Sequence, residues 1–357
     1  MFGCAEKGSP AGERLRAAEC CSLSPRERVR VRGNAAPKWI VPALAALVIG
    51  LALPAPAKVA PSDANRICAE FQKPAGTQVL VAAHRGLSGR STGAWEKFPE
   101  NSLAAIANSI ETGIDIVEID VRKTRDGALI LMHDATVDRT TDGTGAITNM
   151  TLAQMKQLHL RMGVGGTNAA VSDQRVPTLE EAMLLAKDKC MVNLDKAWIL
   201  VPECCAILKK TGTTRQAIFK SSYSAARCEV DFAHLEPPVL FMPIILHKKG
   251  WEKKKDQGWA QIEPYLKQTR PCAFELVFNS DKDPIASKEI AAKIKEGGAR
   301  VWINTLWDDL AGGHTDAKSL TEPKAGWGWA VSRGANVIQS DEATRLLEYL
   351  RSRQLHW

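Results

Sequence analysis

Two carboxylates two positions apart, Glu118 and Asp120, lie within the apolar run Ile116-Val117-Glu118-Ile119-Asp120-Val121. On a strand, residues at i and i+2 share a face. Two like charges on one buried face repel each other and cost free energy to desolvate. Three arrangements relieve this: the face meets solvent, Lys and Arg neutralise it, or a hard divalent cation with oxygen ligands binds there. The neighbouring residues favour the cation. His84 and Arg85 follow the apolar run Val79–Ala83, and His133 follows Ala128–Met132. Two histidines can divide proton removal and proton donation near neutral pH. Arg85 offers a forked donor suited to phosphate. The set suits cleavage of a phosphate diester.

These residues need a scaffold that brings strand ends together. Short apolar runs recur along the chain, with helical spacing between most of them. The runs are Val79–Ala83, Ile116–Val121, Met191–Asp195, Ala217–Lys220, Val239–Ile245, Ala273–Phe278, Val301–Asn304 and Asn336–Gln339. Such runs fit strands buried on both faces. Asp126-Gly127 marks a hairpin returning through Ala128–Met132. Thr178 with Glu181 forms a capping box. Eight strand–helix units in one chain predict an α/β fold, a closed (β/α)8 TIM-type barrel with a small insertion after the second strand. An open doubly wound sheet competes on pattern alone, but no G-x-G-x-x-G follows the first strand. In a barrel the active site lies at the carboxyl ends of the strands, where His84, Arg85, Glu118, Asp120 and His133 gather. Residues 134–176, rich in Thr, Gly and Asp, form the insertion, with one short helix near Leu152–Leu158. The barrel is expected to span 78–355, preceded by a linker at 58–77.

The motifs taken in order are His84-Arg85-Gly86, Pro99-Glu100-Asn101-Ser102, Glu118-Ile119-Asp120-Val121, Thr124-Arg125-Asp126-Gly127, His133-Asp134 and Asp138-Arg139-Thr140-Thr141. This series resembles the glycerophosphodiester phosphodiesterase family, within the phospholipase-C-like phosphodiesterase superfamily. Pro177–Glu181 and Gly334–Asp341 look like later landmarks of that family. The resemblance implies a phosphoric diester hydrolase that converts a small-molecule glycerophosphodiester to glycerol 3-phosphate and an alcohol. It implies His84 and His133 as the acid–base pair, and Arg85 on the phosphate. It implies one divalent cation, Ca2+ or Mg2+, on Glu118 and Asp120. The chain departs from the family's Glu-x-Lys pair on the third strand, reading Asn193-Leu194-Asp195-Lys196 instead. Asp195 is the candidate third ligand. Strand alternation would turn Lys196 away from it, and Lys220 at the end of the next strand could supply the phosphate-facing charge. Alternative readings are a lysophospholipase D, a phosphoinositide phospholipase C-like enzyme, and a barrel that binds without turnover. Trp302 or Trp307 could wall the alcohol pocket. Glu275 would line the barrel or pair with a Lys.

The bulk properties concern partners and compartment. Net charge is +7 over 357 residues, and residues 1–38 hold eight Lys/Arg against four Glu. The rest gives no ground for nucleic-acid binding. The Lys248–Lys255 cluster reads as a solvated face, with peripheral contact to an anionic membrane as the minority reading. No feature points to a protein partner. Trp39–Leu53 is an uncharged apolar stretch after basic residues, and Ala55-Pro56-Ala57 is an A-x-A pattern. Residues 1–57 therefore read as a basic leader and signal peptide, giving an exported (periplasmic or extracellular) protein after cleavage near Ala57. Retention as a membrane anchor by 39–53 is the alternative. Nine cysteines are present, six of them after Lys58. In an exported chain they are expected to form one or two disulfides.

Overall fold

A computed structural model describes residues 63–357 apart from 88, 233–234, 236–237 and 247–256. The leader, the apolar segment at 39–57, Trp251 and the Lys248–Lys255 cluster lie outside the described residues. Among the described residues no helix is long and apolar enough to cross a membrane.

The strands run β1 (Leu80–Ala83), β2 (Ile116–Lys123), β3 (Leu129–Leu131), β4 (His159–Arg161), β5 (Val171–Arg175), β6 (Met191–Asp195), β7 (Ala217–Ser221), β8 (Leu240–Leu246), β9 (Ala273–Val277), β10 (Arg300–Asn304) and β11 (Val337–Ser340). Strands β1, β2 and β6–β11 pair in parallel in chain order, and β1 pairs with both β2 and β11. The sheet therefore closes into the expected eight-stranded barrel. The helices are α1 (Ala64–Phe71), α2 (Leu103–Thr112), α3 (Leu152–Met155), α4 (Leu179–Ala186), α5 (Val201–Thr211), α6 (Ala225–Phe232), α7 (Gln257–Gln268), α8 (Lys288–Glu296), α9 (Asp308–Ala311), α10 (Asp316–Thr321), α11 (Trp327–Ser332) and α12 (Ala343–Ser352).

Alternation along each strand sorts side chains between two cores. Val117, Ile119, Val192, Leu194 and Phe219 point outward and pack with α4 and α5 residues such as Leu179, Met183 and Leu208. Leu80, Ala82, Ile116, Met191, Ile218, Met242, Ala273, Trp302 and Val337 point inward and fill the barrel floor. Burying each large apolar side chain contributes roughly 1.5–3 kcal/mol before conformational entropy is charged against it. Trp302 is thus a floor residue and does not wall a pocket.

Three expectations change. The stretch read as a linker contains α1, capped by Asp63, whose side chain accepts from the backbone N–H of Asn65 and Arg66. Its Ile67, Cys68 and Phe71 plug the barrel floor. The disulfides are absent among the described residues: Cys68, Cys190, Cys204, Cys205, Cys228 and Cys272 are all free thiols. They sit on separate elements or side by side on α5, and several donate to backbone carbonyls, Cys272 Sγ to Phe241 O at 3.0 Å and Cys228 Sγ to Tyr223 O at 3.5 Å. The insertion carries α3 and also the antiparallel pair β4–β5 around its own small core of Val137, Ile147, Met155 and Leu160. It is stitched to the barrel mouth by Glu100 N donating to Gly163 O at 2.8 Å.

Candidate active site

The site is built at the carboxyl ends of β1, β2, β6 and β7. After β1 the chain turns through His84–Gly86, with Arg85 in the left-handed region at φ 54°. That conformation is strained for a non-glycine residue. It aims the Arg85 backbone N–H at Glu118 Oε2, 2.8 Å away. The Arg85 side chain donates to Glu100 Oε2 at 2.8 Å and to His84 Nε2 at 3.2 Å.

Glu118 and Asp120 point into the barrel from β2, as alternation requires, and both are buried. Asp195 ends β6 in register with Asp120. The three carboxylates offer oxygens that all lie within 4.8 Å of one another. Asn101, at φ 55°, clamps Asp120 twice: Nδ2 donates to Asp120 Oδ2 and Oδ1 accepts the Asp120 backbone N–H, both at 2.9 Å. Asp120 Oδ1 is buried without a hydrogen-bond partner. A cluster of hard oxygen donors, one of them buried, without a hydrogen bond and met by the Lys196 ammonium at 3.4 Å, fits a divalent cation. Electrostatics separates the acids. Burial, then the Asp120 charge, pushes the Glu118 carboxyl up to about 7. Burial would raise Asp120 as well, but the Lys196, His133 and Arg85 charges and the Asn101 amide outweigh it and hold Asp120 well below the usual carboxylate range. Asp195 is lowered against its burial by Lys220 and Lys196.

Each histidine is tied at Nδ1 to its own carboxylate. His84 Nδ1 lies 2.8 Å from Asp341 Oδ1, and His133 Nδ1 lies 2.7 Å from Asp134 Oδ1. An Nδ1–H donated to a carboxylate fixes the tautomer and turns Nε2 toward the site, where His84 Nε2 accepts from Arg85 Nε at 3.2 Å. Burial lowers the His84 pKa, but the Asp341 charge and hydrogen bond outweigh it, so the net shift is upward. Asp134 is gripped in turn by Arg139, whose Nε reaches Oδ2 at 2.8 Å and Nη2 reaches Oδ1 at 2.9 Å. Arg139 also pairs with Glu100, which therefore holds both guanidinium groups of the site.

The structure thus gathers every residue expected in the site. Lys196 departs from expectation. It lies one residue past β6 at φ 56°, where alternation no longer applies, and its ammonium reaches Asp120 Oδ1 at 3.4 Å and Asp195 Oδ2 at 3.8 Å. Lys220 is more deeply placed, paired with Asp195 at 3.5 Å and with Glu275 at 3.3 Å. Glu275 both lines the barrel and pairs with a Lys. Trp307 is 38% exposed, with its ring centroid 6.1 Å from that of His84. Glu100, Asn101, Asp134, Arg139 and Asp341 stood in the motifs, but their bracing roles follow only from the contacts.

A family model described as the glycerophosphoryl diester phosphodiesterase family matches residues 84–280, which include all of these histidines and acids except Asp341. The chain belongs to the glycerophosphoryl diester phosphodiesterase family. A second model, a domain of unknown function, matches residues 241–350. The glycerophosphodiester phosphodiesterase of Caldanaerobacter subterraneus subsp. tengcongensis is 40% identical over 119 residues, 33% of this chain and 45% of that one. Glycerophosphodiester phosphodiesterase 1 of Mus musculus is 42% identical over 106 residues, 30% of each chain. The chain thus matches less than half the length of these curated relatives. Among solved structures, a glycerophosphoryl diester phosphodiesterase from Parabacteroides distasonis aligns with TM-score 0.62 at 21% identity, covering 82% of this chain and 93% of that one. An Oleispira antarctica phosphodiesterase in complex with the product sn-glycerol-3-phosphate aligns with TM-score 0.51 at 22% identity, covering 76% and 96%. These structures share the fold of the glycerophosphoryl diester phosphodiesterase barrel described above.

Proposed function

We propose that this chain hydrolyses glycerophosphodiesters to glycerol 3-phosphate and an alcohol, by acid–base exchange between His84 and His133 beside a Ca2+ or Mg2+ ion held by Glu118, Asp120 and Asp195. One observation carries the reading: two imidazoles, each fixed at Nδ1 by its own carboxylate, border a cluster of three converging carboxylates. Family membership and the product bound to the Oleispira relative support the substrate class. One histidine takes the proton of the attacking water or of a glycerol hydroxyl of the substrate. The other delivers a proton to the leaving alcohol oxygen. When the glycerol hydroxyl attacks, the cyclic phosphate formed is opened to glycerol 3-phosphate by water, with the two histidines exchanging roles. Arg85 and Lys196 set positive charge against the phosphate oxygens. A bound cation supplies Lewis-acid stabilisation of charge on those oxygens. Asn101 holds Asp120 in place throughout. We also place this work outside the cytoplasm, on the apolar segment and A-x-A pattern of residues 39–57. N-terminal sequencing of the exported protein should begin at Lys58.

The test is release of glycerol 3-phosphate from glycerophosphocholine and glycerophosphoethanolamine. His84→Ala and His133→Ala should each lower kcat by on the order of a hundred- to ten-thousandfold. A chelator should abolish turnover, and Ca2+ or Mg2+ should restore it. No release with both cations supplied would sink the reading, and lysophospholipids and phosphoinositides would be assayed next.

A further inference from the structure

A second carboxylate stands behind the Asp341–His84 pair. Asp316, the first residue of α10, is buried at 4% exposure and touches neither the histidines nor the carboxylate cluster. Its Oδ2 accepts the backbone N–H of Asp341 at 2.7 Å. Its Oδ1 accepts from Thr305 Oγ1 at 2.6 Å, Trp327 Nε1 at 2.8 Å and Ser340 Oγ at 2.8 Å. These donors come from the end of β10, from α11 and from the end of β11. Two of them, the indole and the backbone amide, can only donate. A buried carboxylate is costly unless its oxygens are satisfied. Burial, then the Asp341 charge, pushes the Asp316 carboxyl up to about 7 while the hydroxyl and indole donors pull the other way. A neutral residue at this place would avoid that cost. It could not receive donors on both sides at once.

Asp341 itself is partly exposed and lies one residue past β11. Its position is set through its backbone: the N–H goes to Asp316, and the carbonyl accepts Arg90 N at 3.1 Å. With the backbone held, Asp341 Oδ1 stays on His84 Nδ1. We propose that Asp316 is a positioning residue for the reaction, anchoring Asp341 so that His84 keeps one tautomer and one orientation. The proposal rests on the hydrolytic role of His84 given above.

Asp316→Asn keeps the shape and opposes one of its NH2 or C=O groups to the wrong partner. Asparagine with its oxygen toward Trp327 sets an NH2 against the Asp341 N–H; the flipped rotamer sets it against the indole. In the full-length protein this variant should lower kcat on glycerophosphocholine by on the order of ten- to a hundredfold, as misplacement of a catalytic group does. KM should stay within about twofold. The decisive readout needs no substrate. The charged groups acting on His84 are Asp341, Arg85 and Glu118. Loosening Asp341 alone should move the His84 imidazole titration, followed by NMR, to lower pH. Asp341→Asn should do the same, and the double variant should be no worse than Asp341→Asn. An unchanged His84 titration in Asp316→Asn, or effects on kcat that multiply in the double variant, would overturn the proposal. Should Asp316→Asn fail to fold, Thr305→Val removes one donor at nearly constant shape. It should shift His84 in the same direction by less, and no shift would again overturn the proposal. Failure of the hydrolysis assay with the His84 shift intact would count against the substrate assignment alone.

Discussion

His84 and His133 each carry a carboxylate, and the two carboxylates are braced in different ways. Asp134 is held through its side chain by Arg139, and Arg139 by Glu100. Glu100 accepts from Arg85 as well, at 2.8 Å. An amide at this place has one acceptor where the carboxylate has two, so Glu100→Gln should loosen Arg85, proposed to face the phosphate, and the His133 brace together. Its kcat/KM should fall by on the order of tenfold or more, while Ca2+ affinity, read by calorimetry, stays near that of the parent, since Glu100 is not among the acids proposed to hold the cation. A matched loss of cation affinity would show that Glu100 serves the acids instead. The Asp341–His84 pair gives a pH dependence whose sign is fixed. The folded His84 pKa lies above the unfolded value of about 6.5. Stability from the pair is therefore complete below that unfolded value and fades as pH rises through the folded one. Asp341→Asn should cost more stability at pH 5 than at pH 9 in urea titrations. An equal loss at both would show that the pair is not the source. Much of this site was legible: Glu118 and Asp120 share a face because strands alternate, and His84 and His133 stand where strands end. The braces were not. Asp341 lies 257 residues from His84, and only closure of the ring brings them together. Lys196 was misread because positive φ just past β6 breaks the alternation that the reading relied on.

At the scale of elements, the eight barrel strands were readable because burial on both faces leaves uninterrupted apolar runs. The β4–β5 pair was not, because Val171-Ser172-Asp173-Gln174-Arg175 alternates only between exposed and half-buried positions and carries no apolar stripe. α1 was missed because it follows a Pro-containing stretch and spans only eight residues. Within the insertion to which β4 and β5 belong, one close turn packs against Arg139. Gly165 adopts φ 73°, and a Cβ there would overlap the Arg139 carbonyl. Its neighbour Gly166 donates its N–H to that carbonyl at 2.7 Å. Gly165→Ala should therefore push the Arg139 backbone away, beyond the roughly 1–2 kcal/mol that a left-handed alanine costs. The barrel should persist, with an unchanged far-ultraviolet dichroism spectrum. The Arg139 grip on Asp134 should loosen, and kcat should fall by on the order of tenfold. Wild-type kcat in Gly165→Ala would mean that this turn covers the site without bracing it.

Over the whole molecule, the chemistry gathers at the carboxyl ends of the strands and the plug at the opposite end, as the barrel architecture separates function from stability. The plug is α1 with the segment after it. Ile67, Cys68 and Phe71 join a cluster to which all eight barrel strands contribute. Arg300, at the start of β10 and fully buried, ties the segment down. Its Nε donates to Phe71 O at 2.9 Å. Its Nη1 donates to Gln78 O at 3.2 Å and Asn336 O at 3.1 Å, and its Nη2 donates to Lys73 O at 3.0 Å, Glu70 Oε1 at 3.1 Å and Glu70 O. A guanidinium whose donors are nearly all spent on carbonyls cannot be replaced without leaving those carbonyls unpaired. Phe71→Ala should cost about 3–5 kcal/mol, the range for emptying a large aromatic site. Arg300→Met should also cost several kcal/mol, because each buried acceptor left unpaired costs about 1–3 kcal/mol. Both losses would appear as lower urea midpoints. The inward side chains of β10 nonetheless run from Arg300 through Trp302 to Asn304, whose Nδ2 donates to Glu275 Oε1 at 2.9 Å. Trp302 Nε1 donates to Asn304 Oδ1 at 2.7 Å, so the floor and the acid-lined end share one polar ladder. The two ends are energetically separate if kcat, measured at a temperature where both variants stay folded, is unchanged. A parallel fall in kcat would show that the ladder transmits displacement of the plug to the Lys220–Glu275 pair and from there to Asp195.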